Sequence, residues 1–335
     1  MIKYLGSKRL LVPAILSTIT SLPKVRSVVD LFAGTSRVGH ACKRVGLSVS
    51  ANDHNAYAAT LARCYVQADR EDVVDDATRL LAELSTVGGK AGWFTRDTAV
   101  NARYFTPENA ARVEAIREGI ASKALDPELE AVVLTSLMEA ADRVDSTVGV
   151  QMAYLKQYAK RAHNPLELRV PDVLPRSQHG KGQATCLDAL DASKALSGDV
   201  VYLDPPYNQH KYVGNYHVWE TLVRWDEPET YGIANKRVDC KTRKSDFNSK
   251  KTCLQALSDV IDAVDARYVV VSFSDEGYVT REQIEGLLAK RGPVRTVSFD
   301  HPRYVGAKIG IYDPQGNKVG VPGHLRNREH LFVAG

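Results

Sequence analysis

The chain has 335 residues, 44% hydrophobic and 25% charged, with a formal net charge of +4, a composition that excludes disordered, collagenous and coiled-coil proteins and leaves room for one large domain or two smaller ones. The first thirty residues carry Lys3, Lys8, Arg9, Lys24 and Arg26 and no long apolar run, so neither a secretory signal nor a membrane span is expected and the cytoplasm is the default compartment. Five cysteines without C-x-x-C spacing and nine histidines without H-x-x-x-H spacing predict neither a disulfide framework nor a metal site.

In chain order, Val25 to Val29 reads as a short strand ending at Asp30, followed by a small-residue turn and a helix from about Arg37 to Val45 that Gly46 can cap. Leu47 to Asn52 alternates like a second strand, and Ala56 to Val66 is helical in period. The next 110 or so residues, Asp69 to Gly180, read as mostly helical. Thr106-Pro107 supplies an N-cap and a first-turn proline, and Leu134, Leu137, Met138 and Ala141 recur at helical spacing. Asn164 to Gly182, with three prolines, reads as a loop returning to the sheet.

The alternation then resumes, with strands at Gln183–Leu187, Val200–Leu203 and Tyr268–Phe273, and helices at Asp188–Leu196 and Val218–Arg224. A last helix has a Thr280/Gln283 capping box and Gly292 just past its end. Strands alternating with helices predict an α/β fold with a parallel sheet covered on both faces, here a Rossmann-like sheet interrupted by an inserted helical subdomain. The expected division is 1–68 with 181–335 for the sheet domain and 69–180 for the insert.

Two segments carry chemistry. Asp30-Leu31-Phe32-Ala33-Gly34-Thr35-Ser36-Arg37-Val38-Gly39 is a strand-to-helix turn where open α/β sheets bind cofactors. The middle glycine of G-x-G-x-x-G admits a pyrophosphate, and here that position is Ser36. A cofactor with an adenosine but no phosphates, such as S-adenosylmethionine (SAM), does not need it. Asp53, at the end of the second strand, is placed to accept from ribose hydroxyls, although capping the next helix is its plainer role.

The second segment is Asp204-Pro205-Pro206-Tyr207, directly after the apolar strand Val200-Val201-Tyr202-Leu203. The prolines make a rigid, donor-poor arm that presents a carboxylate and carbonyls. An exocyclic amine on a base is a poor nucleophile because its lone pair is delocalised into the ring. Acceptors on its two N–H bonds, the Asp204 carboxylate and the Pro205 carbonyl, favour the pyramidal nitrogen of a methyl-transfer transition state. Tyr207 offers a ring on which a base rotated out of its duplex can stack.

With these segments the chain resembles the Dam-like, α-group class of DNA adenine-N6 methyltransferases. The likeness is carried by Lys3-Tyr4-Leu5-Gly6-Ser7-Lys8, Asp30-Leu31-Phe32-Ala33-Gly34, Asn52-Asp53, an inserted target-recognition region and Asp204-Pro205-Pro206-Tyr207. Tyr104 to Ala110, Asp142 to Val150, and Tyr207-Asn208 through Asn215-Tyr216-His217 are similar to modification methylases that accompany type IIS restriction enzymes. The resemblance implies a SAM pocket in which Tyr4 packs against the cofactor, Lys8 lies in the pocket, Asp53 holds the ribose, Asp30 and Phe32 line the methionine end and the turn, and Gly34 of that turn also contacts the cofactor. It further implies that Leu187-Asp188 flank the adenine and that Asp204 serves both cofactor and target amine. Gln151-Met152 stands where the resemblance leads one to expect a tyrosine and a glycine.

Duplex DNA is the expected partner, with a cognate restriction enzyme beside it. Tyr212, Asn215, Tyr216 and His217 are candidates to close over a flipped adenine; burial at a helix start is their plainer reading. From Ile233 to Lys251 there are seven basic residues (Lys236, Arg237, Lys241, Arg243, Lys244, Lys250, Lys251) against two acids (Asp239, Asp246), a local charge of +5 available for phosphates. Base reading is expected from the insert, whose polar and basic residues include Arg96, Asn101, Arg103, Lys156, Lys160 and Arg161. His301-Pro302-Arg303-Tyr304 reads as a further base-pocket strand or as an ordinary strand end. Three alternatives stay open at this point: RNA adenine methylation, amide methylation of a protein glutamine, and a non-catalytic DNA-binding module.

Overall fold

A computed structural model describes residues 1–152, 155–209, 211–302, 311–312, 318–320 and 326–335, with backbone only for 301–302, 311–312, 318–320 and 326–327. Arg303 and Tyr304 of the expected base-pocket strand therefore lie outside the described residues. The chain opens with α1 (Val12–Thr20), β1 (Ser27–Asp30), α2 (Arg37–Arg44), β2 (Ser48–Asn52) and α3 (Ala56–Ala62), the last continuing into a π-helical stretch at Arg63–Gln67. Next come α4 (Arg70–Ser85), α5 (Pro107–Ala121) and α6 (Pro127–Arg143). The longer elements after these, besides short helices and two two-stranded sheets, are β3 (Gln183–Thr185), α7 (Ala189–Ala195), β4 (Ser197–Leu203), α8 (His217–Arg224), α9 (Cys253–Ala263), β5 (Asp265–Ser274), α10 (Arg281–Leu288), β6 (Val294–Pro302) and β7 (Arg326–Ala334).

The seven strands form one sheet in the order β3-β2-β1-β4-β5-β7-β6. The expected parallel sheet is seen from β3 to β5, but β7 runs antiparallel to both β5 and β6. Alternation explains the near-continuous apolar runs in the central strands. Val29, Val201, Leu203, Val269 and Val271 join a core with residues of α7, α9 and α10, while Val28, Val200, Tyr202 and Val270 join a second core with α1 and α2. A strand buried on both faces has no position where a polar residue faces water, so period-2 patterning is lost.

Two helices, α1 and α9, have no counterpart among the elements expected from periodicity. The first buries only Ile15 and Ile19 behind a proline in its opening turn, and the second follows directly on the basic run, which masks its Leu257, Val260 and Ile261 face. The capping box at Thr280 and Gln283 forms as expected, as does the Thr106 cap, whose hydroxyl accepts from the Asn109 N–H at 3.3 Å.

The helices between β2 and β3 share one continuous core with α3 and α8: Tyr57, Leu61 and Tyr65 lie with Leu81, Ile116, Leu137, Met138, Trp219 and Leu222. The two ends of this segment meet at Asp69. Its buried carboxylate takes Lys43 Nζ at 2.8 Å and Arg176 Nε at 2.7 Å, and the Arg70 N–H donates to the Leu174 carbonyl at 2.9 Å. No described helix is long and apolar enough to cross a membrane.

Candidate active site

The chain order reverses between β1 and β4, which lie side by side with Asp30 opposite Tyr202. Their carboxyl ends therefore splay open into the crevice where such sheets bind ligands. Asp30 closes β1, and Asp204 directly follows β4. A single pocket at this edge is lined by Tyr4, Lys8, Asp30, Phe32, Gly34, Asp53, Asp188 and Asp204, which are all eight residues expected at a cofactor. Pro206 lines it as well. Pro205 is buried beneath, and Tyr207 stands alongside with its ring edge-on to Phe273 at 5.8 Å.

The turn after β1 is built by backbone geometry. Gly34 sits at φ +52°, and a Cβ there would come within 3.3 Å of the Tyr4 ring. Its N–H donates to Asp53 Oδ2 at 2.9 Å, and Asp53 Oδ1 accepts from the Asn55 backbone N–H at 2.9 Å. Asp53 thus braces the turn and the start of α3 while still facing the pocket, and burial raises its pKa. Ser36, in the place of a glycine, adopts φ +59° and keeps the left-handed turn despite its side chain.

Asp30 accepts from the Gly39 N–H at 3.0 Å through Oδ2, while Oδ1 is buried with no partner among the described residues. Desolvation, reinforced by the neighbouring Asp204 and Asp53 charges, raises its pKa to about 7 despite that hydrogen bond. Ser7 Oγ, also in the pocket wall, is likewise buried and unpartnered. An ammonium and a hydroxyl-accepting group are what these two atoms lack, and both occur in a nucleoside bearing an amino acid. Asp188 caps α7 through the Leu190 N–H at 3.0 Å, and Leu187 forms the wall beside it.

Asp204 does not stand alone. Lys8 Nζ lies 3.1 Å from Asp204 Oδ1 and 3.2 Å from Glu329 Oε2, with side-chain exposures of 7%, 18% and 9% for the three residues. Burial works against the Lys8 charge, but the two carboxylates outweigh it and hold its pKa well above that of an ordinary lysine. Burial raises Asp204 to about 6, with Lys8 opposing and Glu329 adding to the rise. Two carboxylates around one ammonium leave the cluster one charge negative, which favours an amine that becomes positive as it attacks.

The aromatic wall is Tyr4, stacked on Tyr212 at 5.1 Å and on Tyr216 at 4.7 Å between ring centroids. Of Tyr212, Asn215, Tyr216 and His217, only Tyr212 lines the pocket. Tyr216 and His217 are buried against the protein and offer no face to DNA in this conformation. Tyr216 OH meets the Leu5 N–H, and His217 Nε2 meets the Gln151 carbonyl at 2.9 Å, with burial lowering the imidazole pKa to about 3. Gln151 acquires a role here: its side chain accepts from the Val218 N–H at 2.8 Å and pins the start of α8.

The two arginines of the basic segment are paired with carboxylates, while Lys244, Lys250 and Lys251 stay exposed. Arg237 is buried and makes a two-pronged contact with Asp226 at 2.6 and 2.8 Å; Arg243 pairs with Glu220 at 2.6 Å; Lys241 lies 4.0 Å over the Tyr231 ring. Lys236 is half-buried, which lowers its pKa. Lys244 is exposed and, with Arg243, lines the rim of the pocket. Sequence reasoning misses Lys211, Phe247 and Asn248 in the pocket wall and Glu329 behind Lys8. Lys211 follows the Asp204–Tyr207 arm by four residues and Phe247 and Asn248 lie inside the basic segment, so nearness to a motif does not mark them, while Glu329 arrives from the far end of the chain.

Residues 4–286 match the family described as D12 class N6 adenine-specific DNA methyltransferase. The chain is 30% identical over 315 residues to the type II methyltransferase M.FokI of Planomicrobium okeanokoites, an alignment spanning 87% of this chain and 47% of that one. It is 28% identical to the modification methylase StsI of Streptococcus sanguinis (85% of this chain, 46% of that one) and 28% identical to the type II methyltransferase M.NlaIII of Neisseria lactamica (87% of both). The chain therefore spans about half the length of the first two relatives and most of the third.

Proposed function

We propose that this chain, which belongs to the D12 class N6 adenine-specific DNA methyltransferase family, methylates the exocyclic amine of an adenine swung out of duplex DNA, using SAM, as a modification enzyme of a restriction system. The observation that carries the reading is the junction of two sites: the Asp204 carboxylate and Pro206 line the same pocket as Asp30, Gly34, Asp53 and Asp188. A target amine held at Asp204 is thereby adjacent to whatever the β1 turn holds.

The residues present fit SAM. Asp30 Oδ1 is a buried acceptor without a donor and suits an α-ammonium; Asp53 suits ribose hydroxyls; Leu187 and Asp188 suit the adenine edge. When bound, SAM supplies a methyl group on a sulfonium sulfur, open to in-line displacement. Asp204 and the Pro205 carbonyl accept the two N–H bonds of the target amine and localise its lone pair. Tyr207 supports the base through stacking. As nitrogen becomes positive, the net negative Lys8, Asp204 and Glu329 cluster stabilises it, and one proton then leaves to solvent or to Asp204. The described residues hold no cluster of metal-ligating side chains, and the scheme does not need one.

In this reading residues 1–68 and 181–335 form the catalytic domain, 69–180 the target-recognition insert, duplex DNA and a cognate restriction enzyme are the partners, and the cytoplasm is the place of action. Asp204→Ala tests it. Methyl transfer to DNA is expected to disappear while DNA binding persists, and turnover near the wild-type rate would refute the assignment.

A further inference from the structure

Arg237 and Arg243 of the 233–251 segment are paired with carboxylates, which leaves Lys244, Lys250 and Lys251 exposed there, and a second cationic surface lies beside the pocket. A second cleft abuts the first, sharing Tyr4, Ser7 and Arg37 with it. Lys3, Arg9, Arg37 and Arg161 line this cleft, and no acidic residue does. Two of the four are paired with the buried Asp145, whose Oδ1 takes Lys3 Nζ at 2.7 Å and Arg161 Nε at 2.8 Å, and Asp142 Oδ1 lies 3.7 Å from the same Lys3 Nζ.

The other two have no carboxylate partner among the described residues. Arg9 is exposed, and Arg37 is half-buried with its Nε lacking any hydrogen bond. Burial and the like charge of Arg9 both lower the Arg37 pKa. Two neighbouring guanidiniums that repel each other at the mouth of a pocket are stabilised by an oxyanion between them, which accepts from both forks.

We infer that Arg9 and Arg37 form a seat for a backbone phosphate of the DNA strand whose base enters the pocket. This rests on the proposed function in taking DNA as the partner. The oxyanion chemistry is shared with a SAM carboxylate, which Arg37 can also reach because it lines both cavities. Arg9 lines only the outer cleft, and that favours the phosphate.

The test is the salt dependence of binding to a mixed-sequence DNA duplex, measured by fluorescence anisotropy for wild type, Arg9→Gln, Arg37→Gln and the double variant, with SAM affinity measured by calorimetry. Removing one cation that pairs with a phosphate lowers the slope of log K against log salt by about 1, so about 2 is expected for the double variant, with SAM affinity of Arg9→Gln within about twofold of wild type. An unchanged slope in the double variant overturns the inference. So does an unchanged slope with a SAM affinity reduced about tenfold in Arg37→Gln, which assigns the pair to the cofactor carboxylate. Methyl transfer by the wild type separates the two readings. Transfer with unaltered slopes removes only the phosphate seat; altered slopes without transfer remove only the proposed function; absence of duplex binding by the wild type removes both.

Discussion

Removing the ammonium at the centre of the Lys8, Asp204 and Glu329 cluster should move the pH dependence of the reaction in a defined direction. Asp204 is the acceptor for the target amine, and it works ionised; its pKa of about 6 places the acid limb of kcat/KM near pH 6 in the wild type. Lys8 is 3.1 Å away. At an effective dielectric of about 20, a charge at that distance contributes about 5 kcal/mol, or up to about 4 pKa units, in favour of the ionised form. Water entering the space left by Lys8→Met returns part of this, so a rise of about 2 units is a reasonable expectation. The limb should then lie near pH 8, leaving kcat/KM at pH 7 about tenfold below its alkaline plateau. Glu329→Gln should move the limb the other way, because the Glu329 charge raises Asp204. Of the other groups facing Asp204, Tyr202, Tyr207 and Tyr212 are already raised by burial, and losing the Lys8 charge raises them further, away from the acid limb. Labelled methyl transfer to DNA from about pH 5 to about pH 9 provides the assay. A limb that stays near pH 6 in Lys8→Met, or that rises in Glu329→Gln, would refute the electrostatic argument. Lys8→Met leaves two buried carboxylates without a cation and costs about 3 to 5 kcal/mol of stability; should it fail to fold, Glu329→Gln carries the test alone.

Asp30→Asn should stabilise the free protein at pH 8 while weakening SAM binding. Its folded pKa of about 7 exceeds the ordinary 3.8, so the fold favours the protonated form. Stability from this group is complete below about pH 4 and is lost as pH rises to about 7, a difference of at most about 4 kcal/mol. Thermal melts against pH check this, and a variant melting lower than wild type at pH 8 would count against it. Asp53→Ala should reduce SAM affinity by about 10- to 100-fold, the range of a charge-assisted hydrogen bond, and leave the Gly34 N–H without its acceptor; calorimetry showing full affinity would remove Asp53 from the site. Arg237→Gln should lower the melting temperature, because Asp226 and Asp239 are left sharing Arg224 as their one cation among the described residues, and should leave the salt slope of DNA binding unchanged. A reduced slope would return Arg237 to the DNA surface.

Much of the site is legible in the sequence because its parts are local. Asp30 through Gly34 and Asp204 through Tyr207 are contiguous runs at strand ends, and a strand end is recognisable from the apolar run before it. Both runs come to the same sheet edge, as the alternation of strands and helices requires. The basic segment shows the opposite case. Lys236 to Lys244 reads as a cationic patch along the chain, but Asp226 and Glu220, from the preceding loop and helix, neutralise its arginines in space. Glu329 is the converse: a lone acid in β7, 321 residues from Lys8 along the chain, which becomes its partner only because β7 inserts antiparallel between β5 and β6.

The α/β class, the two motif-bearing strand ends and the residue types around a cofactor and an amine are all readable along the chain. Those follow from periodicity, proline and glycine geometry, and the chemistry of carboxylates, all of which act over a few residues. Tertiary structure alone decided which charges remain available. Whether a lysine or arginine faces solvent, a ligand or a buried carboxylate depends on what the fold brings within about 4 Å of it, and those neighbours come from distant parts of the chain. Arg9 and Arg37 are left uncompensated among the described residues, Arg237 and Arg243 are neutralised, and Lys8 is shared between two acids, for that reason.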